Sequence, residues 1–370
     1  NAATDGDIVV FNLISGDVIT LSAALPVIDN SLTMDGINTA TGNPVTIQVT
    51  NPGISTYRVF YINATGKTIT LNDLIMRGGD VSGYTLPNYN GGVINMTGFG
   101  TTITMNHCVV KEGKAYSGGG ICTEMSTNLA PTLNLNNCTV NNNTAIGSGG
   151  GCFTAQCTIL NSTITGNNAN NGGGIFENRT GKKLQIINTT ISGNSAIQRG
   201  GGIYNFVSTN RGYVYLLNSI VINNTSALGI GADIYSNDYC YSYFTWTSYP
   251  SVITQNCIST AYTPGDLGAL ADNGGPTQTM ELSSSAPAYQ TGAYAYYNAT
   301  DGYYFKGTDN NYYKLATGTT LTPSNPETDK ITTDQRGETR SDPPSMGSYD
   351  GMLSNPMQLV FTTTADNQNI

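Results

Sequence analysis

Hydrophobic residues in this chain fall in short runs that alternate with polar residues and end at asparagine or glycine. The run "TLNLNN" at residues 132–137 alternates with a period of two, and "LQIIN" at residues 184–188 is a short apolar run. Both are bounded by turn-forming residues, which is typical of β-strands. No convincing helical stripe of apolar residues is present in the sequence. The pattern therefore predicts an all-β protein.

These runs repeat along the chain at intervals of 24 to 34 residues. One apolar position recurs at Met76, Val110, Val140, Ile164, Ile191 and Val221. A glycine triplet follows it in four copies, at residues 118–120, 149–151, 172–174 and 200–202. A unit of this length, made of short strands and tight turns, fits one coil of a parallel β-helix, in which stacked coils bury a shared core.

Asparagine occupies two further columns of the repeat. The first column contains Asn137, Asn161, Asn188 and Asn218, and the second contains Asn143, Asn167, Asn194 and Asn224. Asparagine tolerates the left-handed backbone conformation that a sharp corner requires, and stacked amides can hydrogen-bond from coil to coil. Both columns are therefore predicted to be structural ladders, with the side chains of the first column stacked at one corner.

Charge and composition narrow the possible partners. Charged residues make up 11% of the chain, the net charge is −9 and the pI is near 4.5, which argues against nucleic acid or an anionic membrane as partner. No apolar run approaches the length of a membrane span. The chain starts at Asn1 rather than Met. We therefore expect an exported chain after removal of its signal peptide, or a piece of one, at an extracellular or cell-surface location.

The stretches "NSTITGNNA" at 161–169 and "GGGIYN" at 200–205 resemble the right-handed parallel β-helices of the polymorphic outer-membrane protein and pectate-lyase-like superfamily. Residues 270–282, 284–293 and 333–351 resemble the closing segment of the choice-of-anchor surface family. The resemblance implies a right-handed parallel β-helix, a bacterial source, export and a surface location. It implies no reaction, since fold alone does not determine function.

The repeat and its interruptions divide the chain into four parts. Residues 1–236 are predicted to form the parallel β-helix, 237–260 an aromatic insertion loop and 261–351 a closing segment. The closing segment contains a Tyr-rich insertion at 294–332. Residues 352–370 are predicted to be a carboxy-terminal strand, a tail or the start of a further module.

Aromatic residues are concentrated in the two insertions, which makes them interface candidates. These candidates are Tyr241, Tyr243, Trp246, Tyr296, Tyr297, Tyr303 and Tyr304. Such side chains can build a small core of their own, contact another subunit or stack on sugar rings. In the tail, residues 357–364 have β-strand character, and Leu359 and Phe361 are candidates to fill pockets of another chain.

Five of the seven cysteines fall into two groups. Cys240 and Cys257 flank the first aromatic insertion and are candidates for a disulfide bond. Cys108, Cys138 and Cys152 fall in columns of the repeat and are predicted to be buried packing residues. No Cys-x-x-Cys pair occurs, so neither a zinc site nor an iron–sulfur cluster is expected, and no cofactor is predicted.

Candidate catalytic residues are sparse. Acidic residues do not recur at one column. The single histidine, His107, stands where other coils have asparagine, so we expect it to be a buried structural substitute for asparagine rather than a general base. Asp334 and Arg336 are expected to form a structural ion pair. The prediction is a non-catalytic surface protein, either an adhesin or a self-assembling filament subunit. Its expected partners are its own copies or other surface proteins, with carbohydrate as a further candidate. The alternative is a polysaccharide-binding or polysaccharide-degrading β-helix protein.

Overall fold

The structure is a computed structural model that describes residues 4–83, 89–123, 130–178, 182–206, 212–237, 239–247, 253–255 and 259–350 of the 370-residue chain. Within these residues the regular structure is β-strand, apart from one short helix, α1 (Pro326–Asp329). The all-β prediction is confirmed.

The strands stack in parallel as a β-solenoid of about eight turns, which confirms the β-helix prediction. Four parallel sheets run along its axis, and we name them A to D. Sheet A contains β1 (Asp7–Phe11), β3 (Leu32–Asn38), β6 (Thr68–Asn72), β9 (Thr102–Asn106), β13 (Thr132–Asn136), β17 (Cys157–Leu160), β21 (Lys183–Ile187), β25 (Tyr213–Leu217), β29 (Tyr239–Tyr243) and β31 (Ile253–Gln255). Sheet B contains β2 (Val18–Leu21), β4 (Val45–Val49), β7 (Leu74–Arg77), β10 (Val109–Lys111), β14 (Thr139–Asn141), β18 (Thr163–Thr165), β22 (Thr190–Ser192), β26 (Ile220–Ile222) and β30 (Trp246–Thr247).

The two remaining parallel sheets close each coil. Sheet C contains β5 (Phe60–Ile62), β8 (Ile94–Met96), β12 (Ile121–Thr123), β16 (Cys152–Thr154), β20 (Ile175–Glu177), β24 (Ile203–Asn205) and β28 (Ile234–Ser236). Sheet D contains β11 (Lys114–Ala115), β15 (Thr144–Ala145), β19 (Asn168–Asn171), β23 (Ser195–Arg199) and β27 (Thr225–Ser226).

The repeat predicted from the sequence is the register of the strands. Met76, Val110, Val140, Ile164, Ile191 and Val221 are partners on successive strands of sheet B. All six point inward and are buried in one aliphatic core that runs along the solenoid. Inward and outward side chains alternate along each strand, which is why the sequence alternates with a period of two.

The corner between sheets A and B has left-handed backbone at one residue in each of six successive coils. These residues are Asp73, His107, Asn137, Asn161, Asn188 and Asn218, with φ between 46° and 53°. At the opposite side of the coil, Gly172 has a φ of 62°. A Cβ atom on the next residue, Gly173, would overlap the carbonyl oxygen of Ser195 on the neighbouring coil. The second glycine of the triplet is therefore required by the close approach of adjacent coils.

Residues 259–350 form the closing segment, which lies against the outer faces of sheets A and B. It contains an antiparallel pair, β32 (Leu267–Ala271) and β33 (Thr279–Leu282). It also contains a four-stranded antiparallel sheet of β34 (Ala295–Asn298), β35 (Gly302–Lys306), β36 (Tyr312–Lys314) and β37 (Thr320–Leu321). Apolar side chains of this segment and of the solenoid exterior form a second core, which includes Ile187, Leu217, Trp246 and Phe305.

The structure differs from the predicted boundary at residue 237. Strands β29, β30 and β31 lie inside the predicted insertion loop, yet they pair in parallel with the preceding coils. In this coil Phe244, with a φ of 47°, stands at the left-handed corner that holds asparagine in the four preceding coils. Because the corner lacks the asparagine of the repeat, the sequence pattern ends one coil too early.

Candidate functional site

The second asparagine column forms a continuous amide ladder inside the solenoid. Nδ2 of Asn143 donates to Oδ1 of Asn167 at 3.0 Å. The same bond joins Asn167 to Asn194 at 3.0 Å and Asn194 to Asn224 at 2.9 Å. The ladder ends where Asn224 donates to Oδ1 of Asp233 at 3.0 Å. All four amides are buried, so this column holds adjacent coils together and offers no surface for a ligand.

The first asparagine column does not form a uniform ladder, because some of its side chains bond to the closing segment instead of to each other. Asn218 donates to Oδ1 of Asn188 at 2.9 Å, as between neighbouring coils of a ladder. Asn161 instead donates to the carbonyl oxygen of Thr333 at 3.1 Å and accepts from Arg340 at 3.2 Å. Asn137 approaches Nε2 of His107 at 3.1 Å. Partners from the closing segment, which the sequence repeat does not reveal, therefore replace part of the expected stacking.

His107 occupies the corner position of its coil together with an acidic neighbour. Its Nδ1 lies 3.2 Å from Oδ1 of Asp73 on the preceding coil, and its side chain is 38% exposed. The ring therefore links Asp73 to Asn137 across three coils. Its left-handed backbone matches that of the asparagines, in keeping with the structural role expected for it. The expectation that the ring is buried is wrong, because the corner leaves it partly exposed.

Four of the aromatic interface candidates are buried within the chain. Tyr243, Trp246, Tyr296 and Tyr304 are at most 7% exposed, so they are not available to a partner. Their burial agrees with a small core of their own, because Tyr243 contacts Phe305 at 4.6 Å between ring centroids and Trp246 donates its indole N–H to the carbonyl of Thr260. Tyr304 stacks on Tyr296 at 5.1 Å.

The other three aromatic candidates are more accessible. Tyr297 is 49% exposed and packs against Tyr303, whose burial raises the pKa of its hydroxyl to about 12. Tyr241 is half-buried and stacks on Tyr215 of the preceding coil at 5.2 Å. The candidates Leu359 and Phe361 lie outside the described residues.

A buried ion network holds the closing segment together and contacts the solenoid through the hydrogen bond from Arg340 to Asn161. Arg340 and Asp350 have fully buried side chains, with 3.6 Å between Nη1 and Oδ2. Arg340 also donates to the carbonyls of Ser345 and Gly347. Burial lowers the pKa of Arg340, while the Asp350 carboxylate opposes that change. Nearby, Arg336 and Asp334 form the expected ion pair at 2.7 Å, which supports a structural role for both.

Cys108, Cys138, Cys152 and Cys157 are fully or almost fully buried thiols, as predicted for the first three. Cys108 and Cys138 begin a column of small residues in which the Cys108 N–H faces Sγ of Cys138 at 3.4 Å and the Cys138 N–H donates to Oγ of Ser162 at 3.0 Å. Cys240 is buried in β29, but Cys257 lies outside the described residues, so their disulfide bond stays a prediction.

We expect these buried thiols to resist alkylation in the native protein. Burial raises the pKa of Cys152 to about 12 and raises those of Cys108 and Cys157 well above the usual range, so little reactive thiolate exists at pH 8. Iodoacetamide should modify the three only after denaturation, as measured by peptide mass spectrometry. Modification of Cys152 in the native protein at the denatured rate would contradict this expectation.

The amino-terminal end of the solenoid presents exposed strand edges. β1 and β2 are the first strands of sheets A and B, and within the described residues nothing pairs with their outer edges. Exposed apolar side chains occur here: Ile8 is 70% exposed, Val10 60% and Val18 54%. A cleft of about 250 Å³ beside β1 is lined by Val9, Leu25, Pro26, Val27, Ile28, Asp29, Asn30, Leu32, Met34 and Phe60. The end of the core is therefore partly open.

No protein-family model matches this chain, and no curated protein is a significant match. The fold is thus established by the structure, while the resemblance to a surface-protein family stays a resemblance. Among the described residues, no helix is long and apolar enough to cross a membrane. In the same part of the chain, no group of three or more His, Cys, Asp or Glu side chains has the geometry to hold a metal ion.

Proposed function

We propose that this chain is a non-catalytic extracellular surface protein that associates with further copies of itself, as an adhesin or a filament subunit. The observation that supports this most directly is the pair of exposed edges at the amino-terminal end. An edge strand offers unpaired N–H and C=O groups to any further strand, and apolar side chains beside it favour the contact. Export and a bacterial source are supported by the resemblance to the polymorphic outer-membrane and choice-of-anchor families.

The charge of this end favours one geometry of association. Asp5, Asp7, Asp17, Asp29 and Asp35 lie in or beside the first coils. Lys67 pairs with Asp5 at 2.8 Å. Two such ends facing each other would bring like charges together, which is unfavourable. We therefore propose that the end contacts a different surface of the next copy. A head-to-tail contact of this kind forms a closed ring only if the rotation between successive copies adds up to a full turn. Otherwise it generates an open filament.

We expect lysine at two edge positions to prevent this association. Ile8→Lys/Val10→Lys places charges on β1, and charged side chains on an edge strand oppose further pairing. Sedimentation velocity over a concentration series should show that the variant needs at least tenfold more protein to form the oligomers of the native chain. Ile197→Lys is the matched control, since Ile197 is a 58% exposed isoleucine on sheet D, away from this end.

A second variant tests the predicted role of the tail. Deleting residues 355–370 removes the strand predicted at 357–364 and its candidates Leu359 and Phe361. Loss of association in this variant, with circular dichroism unchanged, would identify the tail as the partner of the open edge. If the native chain is monomeric at every concentration, or if Ile8→Lys/Val10→Lys assembles like the native chain, association through this end is wrong.

A further inference from the structure

The outer face of sheet A carries a regular array of uncharged polar side chains over its amino-terminal half. We name it the hydroxyl–amide face. Its columns are formed by register partners on successive strands. The first column contains Thr68, Thr102 and Thr132, the second Thr33, Thr70, Thr104, Asn134 and Thr158, and the third Asn72, Asn106 and Asn136.

The alternation of the strands directs this array to the outer side of the sheet. In β6 and β9 the residues between the threonines, Ile69 and Ile103, are fully buried in the solenoid core. The threonines of each strand therefore point outward together. Their spacing is about 4.8 Å between neighbouring strands and about 6.7 Å along a strand, two residues apart. Threonine has a strongly restricted χ1, so the positions of its hydroxyl and methyl groups are well defined.

Hydrogen bonds within the face fix its third column. Asn106 donates to Oδ1 of Asn72 at 2.8 Å, and Asn136 donates to Oδ1 of Asn106 at 2.9 Å. Each of these three side-chain amides keeps a further N–H donor for a ligand, because an amide nitrogen has two hydrogens. In the second column, Asn134 donates to Oγ1 of Thr104 at 3.3 Å. The face is thus a rigid lattice of donors and acceptors.

The closing segment covers the other half of sheet A and leaves this half open. The third column continues from Asn136 to Leu160, Ile187 and Leu217, which pack in or against the second core. Among the described residues, no hydrogen bond joins the threonines of the face to the closing segment. The third column therefore changes from amide to aliphatic side chains where the cover begins.

The chemistry of the face favours ordered water as its ligand. The chain has a net charge of −9, yet the eleven side chains of the face are uncharged, so the face itself selects no ionic partner. The charged side chains in line with its columns stand outside it: Asp35 precedes Asn72 at the amino-terminal edge, and Lys183 precedes Tyr213. Sugar chains usually need an aromatic ring face to stack on. The tyrosines in line with the first column, Tyr213 and Tyr239, stack on each other at 5.7 Å with 19° between their planes, so they direct their ring faces at one another.

We propose that the hydroxyl–amide face binds ice. An ice crystal presents rows of oxygen atoms whose repeats are close to both spacings of the threonine array. Hydroxyl and amide groups held at these spacings can replace surface water molecules of the crystal, while the threonine methyl groups pack against the remainder. Rigidity of the solenoid removes the entropy cost of arranging the side chains at the moment of binding. This inference is independent of the proposed self-association.

The test is partition of the protein into slowly grown ice, together with thermal hysteresis in single ice crystals. The native chain should be enriched in the ice fraction and should shape the crystals. Thr70→Lys/Thr104→Lys places two long charged side chains in the middle of the face and should lower both readouts at least tenfold. Circular dichroism should show an unchanged fold, because both threonines are half-buried at outward positions.

Thr46→Lys is the matched control. Thr46 is half-buried at an outward position on β4 in sheet B, in the same half of the solenoid. It should behave like the native chain in both measurements. Exclusion of the native chain from ice, or equal partition of Thr70→Lys/Thr104→Lys and the native chain, would overturn the proposal. Sedimentation with microcrystalline cellulose tests whether the face binds a neutral polysaccharide rather than ice. Loss of cellulose binding in the double variant, with no native binding to ice, would assign the face to a neutral polysaccharide instead.

Discussion

Replacing Arg340 with methionine is expected to destabilise the protein by about 3–5 kcal/mol, the usual cost of removing one partner of a buried ion pair. The substitution leaves the fully buried Asp350 carboxylate without its cation. It also removes donors from Asn161 and from the carbonyls of Thr333 and Gly347. Urea unfolding followed by the fluorescence of Trp246 measures the effect, since this single tryptophan is buried in the second core.

Arg77→Met is the matched control for this substitution. Arg77 pairs with Glu112 at 2.6 Å, but the two side chains are 34% and 31% exposed. Solvent screens such a pair, so its loss should cost no more than about 1 kcal/mol. Equal destabilisation by the two substitutions would show that Arg340 does not hold the closing segment in the way described.

Asn194→Ala should destabilise the solenoid by about 3 kcal/mol, because the buried groups it leaves unsatisfied cost roughly 1–3 kcal/mol each. Oδ1 of Asn194 accepts from both N and Nδ2 of Asn167, and its Nδ2 donates to the carbonyl of Ile164 at 2.9 Å. Alanine removes the acceptor that the backbone N–H of Asn167 requires inside the core. The change should appear as a lower urea midpoint in circular dichroism.

Asn168→Ala provides the control for the ladder. Asn168 is the residue after Asn167 on the same coil, but its side chain is exposed on sheet D. The same substitution there removes an amide from solvent, and surface changes of this kind usually stay within about 0.5 kcal/mol. If the urea midpoints of Asn194→Ala and Asn168→Ala were equal, water would replace the Asn194 amide in the ladder at little cost in stability.

The sequence predicts the coils well because each column has a local cause. Left-handed backbone restricts a corner to residues such as Asn137, and close approach of the chains restricts Gly173 to glycine. A buried position such as Val140 requires an aliphatic side chain. These constraints recur in every coil, so the register of sheet B could be read from spacing alone.

The attachment of the closing segment could not be predicted in the same way. Arg340 contacts Asn161 across 179 residues, and Thr333 contacts the same side chain across 172. Such pairs occur once in the chain, and no repeated column signals them. The aromatic candidates were misleading for a related reason. Tyrosine and tryptophan suit an intermolecular interface and an intramolecular one equally, and only the position of the closing segment shows that Tyr243 and Trp246 are buried by their own chain.

The closing segment divides the solenoid into two halves of unequal mechanical support. From Thr139 onward, hydrogen bonds connect β14, β18 and β22 to the closing segment. Gln335 donates to Thr139 and accepts from Thr163, and Ser348 donates to Thr190. Within the described residues, each earlier coil has such ties only with its immediate neighbours, as in a linear array of repeats. Local unfolding should therefore begin at the amino-terminal coils and propagate coil by coil. The coils that are bonded to the closing segment should unfold together. Amide exchange would then decrease along the axis from β1 and fall steeply at β14, which gives the molecule a compliant end and a stiff one.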